Sequence, residues 1–234
     1  MNDRVDLTIV MPAFNERQTI ERAVEEVLAA VLPVATRELV VVDDGSTDGT
    51  RELLRRFDGR DGVRVELHDR NRGKGAAIRT GLSVARGEIF TVIDADLEYD
   101  PAYVAELLEP LLAGRADAVY GVRGFQSHSA YNFWYVIGNK VVTFAANLLY
   151  NSWLSDIMTC HKAMRTETFR ALPLHSDGFG IEAEITARLL RRGIRIYEVP
   201  VMYTARSREA GKKLTAADGM RVLLTLLRCR FETP

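Results

Sequence analysis

The chain has 234 residues, a length that suits one large α/β domain, and 47% of them are hydrophobic, enough for a sizeable core. Charged residues make up 27% of the chain but nearly cancel to a net charge of −1, so no nucleic acid partner is expected. The longest apolar stretch, VVTFAANLLYNSWL, is too short and too interrupted by asparagine to span a bilayer, so no transmembrane helix is expected.

The N-terminal residues and the cysteines indicate a cytoplasmic protein. The sequence MNDRVDLTIVMPAFNE has charges before a short apolar run and lacks a small-residue cleavage site, which is typical of a first strand and not of a signal peptide. Cys160 and Cys229 lie far apart without metal-type spacing, which favours free thiols in a reducing compartment.

The first half of the chain alternates strand and helix patterns. Apolar residues recur at helical spacing from Ile20 to Val31, and a second helix is expected from about Gly75 to Ala85. The strand patterns around them are DLTIVMPAF, ELVVVDD, VRVELH and EIFTVIDAD. This alternation predicts a mostly parallel sheet with helices on both faces, a fold that binds its ligands at the carboxyl ends of the strands.

The second half is richer in aromatic residues, with further helices expected near 181 to 192 and near 215 to 229. Aromatic residues at helical spacing usually form core, but Trp and Tyr also favour lipid interfaces, and both interpretations stay open. The residues concerned are Tyr131, Phe133, Trp134, Tyr135, Phe144, Tyr150 and Trp153. The last helix mixes leucines with Arg221, Arg228 and Arg230, which raises the same hypothesis of peripheral membrane contact.

A polar segment follows each predicted strand of the first half: PAFNE, DDGSTDG, NRGKG and DADLEYD. In the last of these, Asp94 and Asp96 point the same way at a strand end, where two carboxylates suit Mg²⁺ or Mn²⁺; the alternative is a solvated turn. In the second, a carboxylate at the strand end is placed to accept hydrogen bonds from a ribose or a base. The alternative there is an ordinary turn in which Ser46 or Thr47 caps the next helix.

The first and third segments have the same two kinds of interpretation. In NRGKG, glycines and a lysine precede a helix whose N-terminal N–H groups favour phosphate, or the segment is a solvated basic turn. In PAFNE, Asn15 alone suggests a helix cap. The GxxxxGK[ST] and GxGxxG spacings are absent, which argues against a P-loop and against a dinucleotide cofactor.

Together the motifs PAFNE, VVDDGSTDGT, RGKGAAIRTG and DADLEYDP, in that order, resemble the family 2 glycosyltransferases with a GT-A fold, an α/β Rossmann-like nucleotide-diphospho-sugar transferase fold. The resemblance runs from the first strand to about Leu214. It implies a nucleotide-sugar donor bound along the strand ends with Mg²⁺ or Mn²⁺ held by Asp94 and Asp96. The donor residues that it implies are Pro12, Ala13, Glu16, Asp43, Lys74, Asp94, Asp96 and, less directly, Asp44.

The second half is similar to polyprenyl-phosphate sugar synthases, the relatives of dolichyl-phosphate mannose and glucose synthases, in SDIMTCHKAMRTETF, DGFGIEAEITARLLRRGIRIYEVPVMYTAR and GKKL. This similarity implies transfer of one sugar to a polyprenyl phosphate at the cytosolic membrane face. The sequence departs from the family at IMTCHKAMR, where a glycine-rich piece is usual, and at Lys212-Lys213, where Ser-Lys is usual. A UDP-sugar is preferred over GDP-mannose because DGSTDGT and GKGAAIRTG are closer to the glucose-type relatives.

The chemistry of the acceptor suggests further residues. A hydroxyl acceptor needs a general base, whereas a lipid phosphate already carries a negative oxygen and needs cations to position it. The expected cations are Arg123, Arg206, Arg208, Lys212 and Lys213, although the last four also fit a solvated loop. With Asp96, the candidate catalytic carboxylates are Asp156 and Glu182, the latter preferred over Glu184, which lies two residues further on the same helix. The histidines, His161 among them, show no metal-ligand spacing.

The expected organisation is one domain over residues 1–234. It comprises a nucleotide-sugar-binding half at 1–122, an acceptor-binding half at 123–214 and a C-terminal amphipathic helix at 215–234. The protein is expected on the inner face of the cell membrane, with a homo-oligomer possible. The alternatives are a family 2 transferase with a saccharide or small-molecule hydroxyl acceptor, and a non-catalytic nucleotide-sugar-binding module.

Overall fold

The computed structural model describes residues 5–123, 133–204 and 216–232. The expectations for Tyr131, Arg206, Arg208, Lys212 and Lys213 lie outside these residues. Both cysteines are free, as the sequence predicts, and both are buried.

A single mixed sheet forms the centre of the described structure. Its strands are β1 (Val5–Ala13), β2 (Arg37–Asp43), β3 (Val63–Leu67), β4 (Gly87–Val92), β5 (Ala118–Arg123), β6 (Lys162–Arg165) and β7 (Ile196–Val201). Their order in the sheet is β3-β2-β1-β4-β6-β5-β7. The short strand β6 runs antiparallel to β4 and β5, and every other neighbouring pair is parallel. The predicted mostly parallel sheet is therefore confirmed.

Helices cover both faces of this sheet. The helices are α1 (Ile20–Ala29), α2 (Thr50–Leu54), α3 (Lys74–Val84), α4 (Val104–Leu112), α5 (Phe133–Tyr150), α6 (Thr166–Arg170), α7 (Gly180–Arg191) and α8 (Ala216–Phe231). Strand β1 shows why both faces need covering, because Leu7, Ile9 and Met11 point to the face covered by α1 and α4, while Val10 points to the face covered by α3 and α7. The predicted bounds of α3 and α7 agree within one residue, and those of α8 within two.

The two long helices of the second half, α5 and α8, pack on α7 through small and aliphatic residues such as Val142, Ala146, Ala187 and Leu226. Most of the aromatic residues of this region lie outside that core. The exposed fraction is 76% for Trp134, and Phe133, Phe144 and Trp153 are exposed as well. The interpretation of the aromatics as core is therefore wrong for these four. None of the helices in the described ranges is long and apolar enough to cross a membrane.

The register of the sheet brings the four polar loops to one edge. Ala13 at the end of β1 pairs with Asp43 at the end of β2, and Asp43 pairs with Leu67 of β3. On the other side of β1, Val10 pairs with Val92 at the end of β4. The loops that follow these strands consequently leave the same edge, as the alternating pattern predicts.

Candidate active site

A cavity of about 1070 Å³ lies at this edge and extends to α5, α7 and α8. The predicted donor residues that line it are Pro12, Ala13, Glu16, Asp44, Lys74, Asp94 and Asp96. Arg123 and Glu182, predicted for the acceptor and for catalysis, line it too. The structure thus brings residues from the two halves of the chain into one site.

The two aspartates at the end of β2, Asp43 and Asp44, differ in position. Asp43 is fully buried, does not line the cavity, and accepts a hydrogen bond from Arg51 Nε at 2.8 Å. Asp44 lines the cavity, where its Oδ1 accepts from Arg72 N and its Oδ2 from Gly73 N at 2.8 and 2.7 Å. Asp44 therefore fixes the RGKG loop and, unlike Asp43, lies at the cavity.

The loops after β1 and β2 hold each other. Ser46 Oγ accepts a hydrogen bond from Asn15 N, and Asn15 Oδ1 accepts one from Thr47 N, each at 2.9 Å. Asn15 adopts a left-handed conformation with φ 53°. The helix caps suggested for Asn15, Ser46 and Thr47 are wrong, because Thr19 and Gly49 precede α1 and α2 and these polar groups bind the facing loop instead.

Two glycines allow another segment to approach Lys74. A Cβ at Gly73 would lie closer than 3.0 Å to the carbonyl oxygen of Asp177, and one at Gly75 would meet that of Ser176. The backbone N–H groups of Gly75 and Ala76 donate to Asp177 O at 2.6 and 3.2 Å. Two of the N–H groups at the start of α3, where the sequence suggests a phosphate site, are therefore taken by a protein carbonyl.

Lys74 connects the third and fourth loops. Its Nζ lies 2.8 Å from both carboxylate oxygens of Asp94 and 3.3 Å from Glu182 Oε1. Burial opposes the charged ammonium, but Asp94 and Glu182 outweigh burial and raise the pKa of Lys74. Burial likewise disfavours ionised Asp94, but Lys74 lowers the pKa of this carboxyl. Both groups are therefore charged near neutral pH.

Glu182 lies between two lysines. Its Oε2 accepts a hydrogen bond from Lys162 Nζ at 2.7 Å, and Lys162 is almost fully buried beneath the cavity wall. Burial lowers the pKa of Lys162, with Glu182 acting in the opposite direction. Glu182 and Glu184 face different partners, because Glu184 accepts from the backbone of His175 and Ser176.

On the acceptor side, Asp156 holds Arg123. Arg123 Nε and Nη2 donate to the two oxygens of Asp156 at 2.6 and 2.8 Å, and Asn139 Nδ2 and Met158 N add bonds of 3.0 and 3.1 Å. Burial disfavours ionised Asp156, but Arg123 lowers the pKa of this carboxyl. Asp156 is fully buried and does not line the cavity, which makes it an orienting partner of Arg123.

Asp94 and Asp96 fit a divalent cation only with help from a ligand. No cluster of three or more His, Cys, Asp or Glu side chains suited to a metal occurs in the part of the chain that the structure describes. Mg²⁺ and Mn²⁺ prefer oxygen ligands, and Mg²⁺ often uses one or two carboxylates with substrate phosphates and water. The two carboxylates beside a wide cavity fit that kind of ion, provided that it shares Asp94 with Lys74.

Several residues around the site gave little signal in the sequence. Cys160 lines the cavity beside Asp94, and burial raises the pKa of its thiol. The buried ring of His161 stacks on Tyr99 with centroids 4.4 Å apart, and burial lowers the pKa of His161 to about 4, so this histidine has a core role. Tyr203 packs against Tyr99 and under Arg123. In the sequence, the only sign of this stack is the presence of Tyr99 in DADLEYD and Tyr203 in VMYTAR.

The far wall of the cavity is largely apolar. Trp134, Tyr135 and Val142 of α5 and Val222 of α8 line it. The outer faces of the same helices carry exposed apolar residues at helical spacing: Phe133, Ile137, Val141, Phe144 and Leu148 on α5, and Met220, Leu224, Leu227 and Phe231 on α8. We call these residues the outer apolar face.

Comparison with known proteins identifies the family. The family model described as "Glycosyl transferase family 2" matches residues 8–172. Glycosyltransferase AglJ of Haloferax volcanii is 30% identical over 223 residues, which cover 94% of this chain and 70% of that protein. The dodecaprenyl-phosphate galacturonate synthase of Rhizobium johnstonii is 37% identical over 122 residues, 51% of this chain and 36% of that protein.

The architecture agrees with the same family. The structure of glucosyl-3-phosphoglycerate synthase from Mycobacterium tuberculosis matches with a TM-score of 0.75 and 24% identity, over 98% of this chain and 81% of that one. That synthase has been crystallised with Mn²⁺ and UDP. At this identity the likeness shows a shared fold. The chain therefore belongs to glycosyl transferase family 2 and is a glycosyltransferase with a GT-A fold.

Proposed function

We propose that the protein transfers a sugar, with inversion, from a nucleotide sugar to a polyprenyl phosphate at the cytosolic face of the membrane. The observation that carries the proposal is the composition of the cavity. One wall consists of the strand-end loops with Lys74, Asp94 and Asp96, and the other combines Arg123 with the apolar side chains of α5 and α8. A charged donor and a lipid with one anionic end match these two walls.

The donor side suits a nucleoside diphosphate. Pro12, Ala13 and Glu16 line the end of the cavity next to β1, where a base and ribose would lie, and Lys74 supplies a cation for the diphosphate. Asp94 and Asp96 would hold Mg²⁺ or Mn²⁺, which neutralises charge on a departing diphosphate. The Mn²⁺ and UDP bound by the mycobacterial synthase support a UDP-sugar by analogy, with GDP-mannose as the second choice.

The acceptor side suits an anion better than a hydroxyl. Arg123 is held by Asp156, and burial opposes its charge while Tyr99 and Asp156 help to raise its pKa, so it is a permanent cation at the cavity wall. Glu182 lies 3.3 Å from Lys74 and 2.7 Å from Lys162, so its carboxylate is held by two ammonium groups. A phosphate acceptor brings its own negative oxygen and needs neither Glu182 nor Asp156 to remove a proton. The name of the rhizobial relative supports a polyprenyl phosphate.

The outer apolar face supports peripheral membrane binding. The exposed apolar residues of this face lie on α5 and α8, the same two helices that form the apolar wall of the cavity. Trp153, which follows α5, is 91% exposed. Arg221 and Arg228 of α8 are also exposed, a combination that favours anionic lipid surfaces. A lipid acceptor held in such a membrane would reach Arg123 without leaving the bilayer surface.

The test is release of nucleoside diphosphate from a panel of UDP- and GDP-sugars in the presence of vesicles containing polyprenyl phosphate. We expect release that requires both Mn²⁺ or Mg²⁺ and the lipid phosphate. Release that is supported by a saccharide and abolished in Glu182→Gln, with donor binding unchanged, would instead establish the hydroxyl-acceptor alternative. Binding of nucleotide sugars without release in any combination would point to the non-catalytic module.

A further inference from the structure

Four side chains of alternating charge run from beneath the cavity wall to the donor loop. Lys162 pairs with Glu182 at 2.7 Å, Glu182 lies 3.3 Å from Lys74, and Lys74 lies 2.8 Å from Asp94. Glu182, Lys74 and Asp94 line the cavity, whereas Lys162 does not. Glu182 is the side chain that connects Lys162 directly to the cavity.

Lys162 is held firmly. Besides Glu182, its ammonium donates to the carbonyl oxygens of Ile157, at 3.0 Å, and of Thr159. The ammonium also lies 4.6 Å from the centre of the Tyr120 ring. These contacts fix the position of the positive charge and, through the 2.7 Å bond, the position of Glu182 Oε2.

The other oxygen of Glu182 is placed to receive Lys74. Glu182 Oε1 is buried and has no hydrogen-bond partner within the described structure, although the ammonium of Lys74 is only 3.3 Å away. A buried carboxylate oxygen without a hydrogen bond is costly, so Glu182 favours a shift of Lys74 toward it. A ligand that competes for Asp94 would release Lys74 in that direction.

We infer that Lys162 is a positioning residue for the donor site: it holds Glu182 so that Lys74 is shared between Glu182 and Asp94 and faces the donor diphosphate. The inference rests on the proposed function for the nature of that donor. A purely structural role for Lys162, in which it ties residues 157–159 to α7, is the alternative that an experiment must separate.

The experiment is a double-mutant cycle with Lys162→Met, Glu182→Gln and the double variant, in which UDP binding is measured by calorimetry with and without Mn²⁺. We expect each single variant to weaken UDP binding about tenfold, and Lys162→Met to add little once Glu182→Gln is present, because the two residues act as one unit. The double variant removes both charges of a buried pair, which proteins tolerate better than loss of one partner. It therefore keeps the comparison with Glu182→Gln available if Lys162→Met alone does not fold.

Glu38→Gln is the matched control, because Glu38 is also a buried, ion-paired carboxylate but bonds to Thr8 and Arg86 away from the cavity. We expect it to lower the unfolding temperature without changing UDP binding. Independent effects of Lys162→Met and Glu182→Gln, or unchanged UDP binding in a folded Lys162→Met protein, would refute the inference alone. A wild-type protein that binds neither UDP nor GDP would refute the proposed donor and the inference with it.

Discussion

The ammonium of Lys74 lies 2.8 Å from both carboxylate oxygens of Asp94, so Asp94 already forms an ion pair with a protein side chain. Lys74 begins α3 and Asp94 follows β4, and the glycines on either side of Lys74 allow this segment to pack closely. A divalent cation at Asp94 must therefore compete with an ammonium that is already present.

Lys74→Met should have opposite effects on the two ligands. Removal of the competing ammonium should strengthen binding of Mn²⁺ alone several-fold, whereas loss of a cation near the diphosphate should weaken UDP binding by about tenfold or more. Calorimetric titrations with Mn²⁺ and with UDP measure the two effects separately. Asp96→Asn is the control and should weaken Mn²⁺ binding; a Lys74→Met protein with both affinities unchanged would show that Lys74 does not act at this site.

Gly75→Ala should destabilise the protein. The new Cβ would collide with the backbone of residue 176, and an overpacked site of this kind costs about 1–3 kcal/mol. Gly178→Ala, in the facing loop, is the matched control because a Cβ there meets nothing within 4 Å. Thermal unfolding should show a decrease of several degrees for Gly75→Ala and almost none for Gly178→Ala. Equal stability of the two variants would mean that the close approach of the loops is not needed.

His161→Phe should change the acid stability of the protein. Because the native pKa of His161 is lowered to about 4 from 6.5, the unfolded state binds one more proton than the native state between these values. The contribution of His161 to stability is thus present above pH 6.5 and falls as the pH is lowered through this window, by roughly 3 kcal/mol in total. Urea unfolding of both proteins at several pH values measures the difference in slope. Parallel curves would contradict the buried, neutral imidazole.

Asp156→Asn should weaken binding of the acceptor without changing binding of the donor. Loss of the bidentate partner frees Arg123 to move, so the KM for polyprenyl phosphate should rise about tenfold or more while UDP affinity stays the same. Steady-state kinetics with each substrate varied in turn distinguish an effect on the KM for the acceptor from an effect on the KM for the donor. A loss confined to kcat, with the acceptor KM unchanged, would instead indicate that Asp156 takes part in proton transfer.

Charges on the outer apolar face should prevent membrane binding. The double substitution Phe144→Glu and Leu148→Glu introduces two acidic groups on α5, where burial in a lipid interface would be costly. Val31→Glu is the control, because Val31 is at least as exposed as Phe144 and Leu148 but lies after α1, away from α5 and α8. In flotation with anionic vesicles, the wild type and Val31→Glu should rise with the lipid and the double variant should not. A wild type that stays in solution would overturn the membrane proposal.

The sequence predicted the sheet and the position of the site because both follow from local patterns. Strand and helix periodicity, together with a polar segment after each strand, are enough to place Asp94, Asp96 and Lys74 at one edge. The partners of these residues were not predictable in the same way. The carbonyl of Asp177, which accepts hydrogen bonds from Gly75 N and Ala76 N, lies about a hundred residues further along the chain. The local sequence pattern does not predict this contact.

The aromatic residues of α5 illustrate the same limit. Their spacing indicates a helix, but the side that faces the protein depends on where α7 and α8 pack, which the local pattern does not contain. Lys162 is a second example, because the local sequence suggests that a lysine in a short strand lies on the surface. Only the fold brings Glu182 beside it. Asp43 and Asp44 are a third example, since two adjacent buried carboxylates differ in that only Asp44 lines the cavity.

Mass spectrometry of the lipid, after incubation with the preferred nucleotide sugar, Mn²⁺ and polyprenyl phosphate, tests the proposed transfer directly. We expect a lipid that has gained one sugar residue and no additional phosphate, formed by the wild type and absent with Asp96→Asn. A lipid that gains a sugar together with a second phosphate, or an unchanged lipid beside a glycosylated hydroxyl compound, would contradict it.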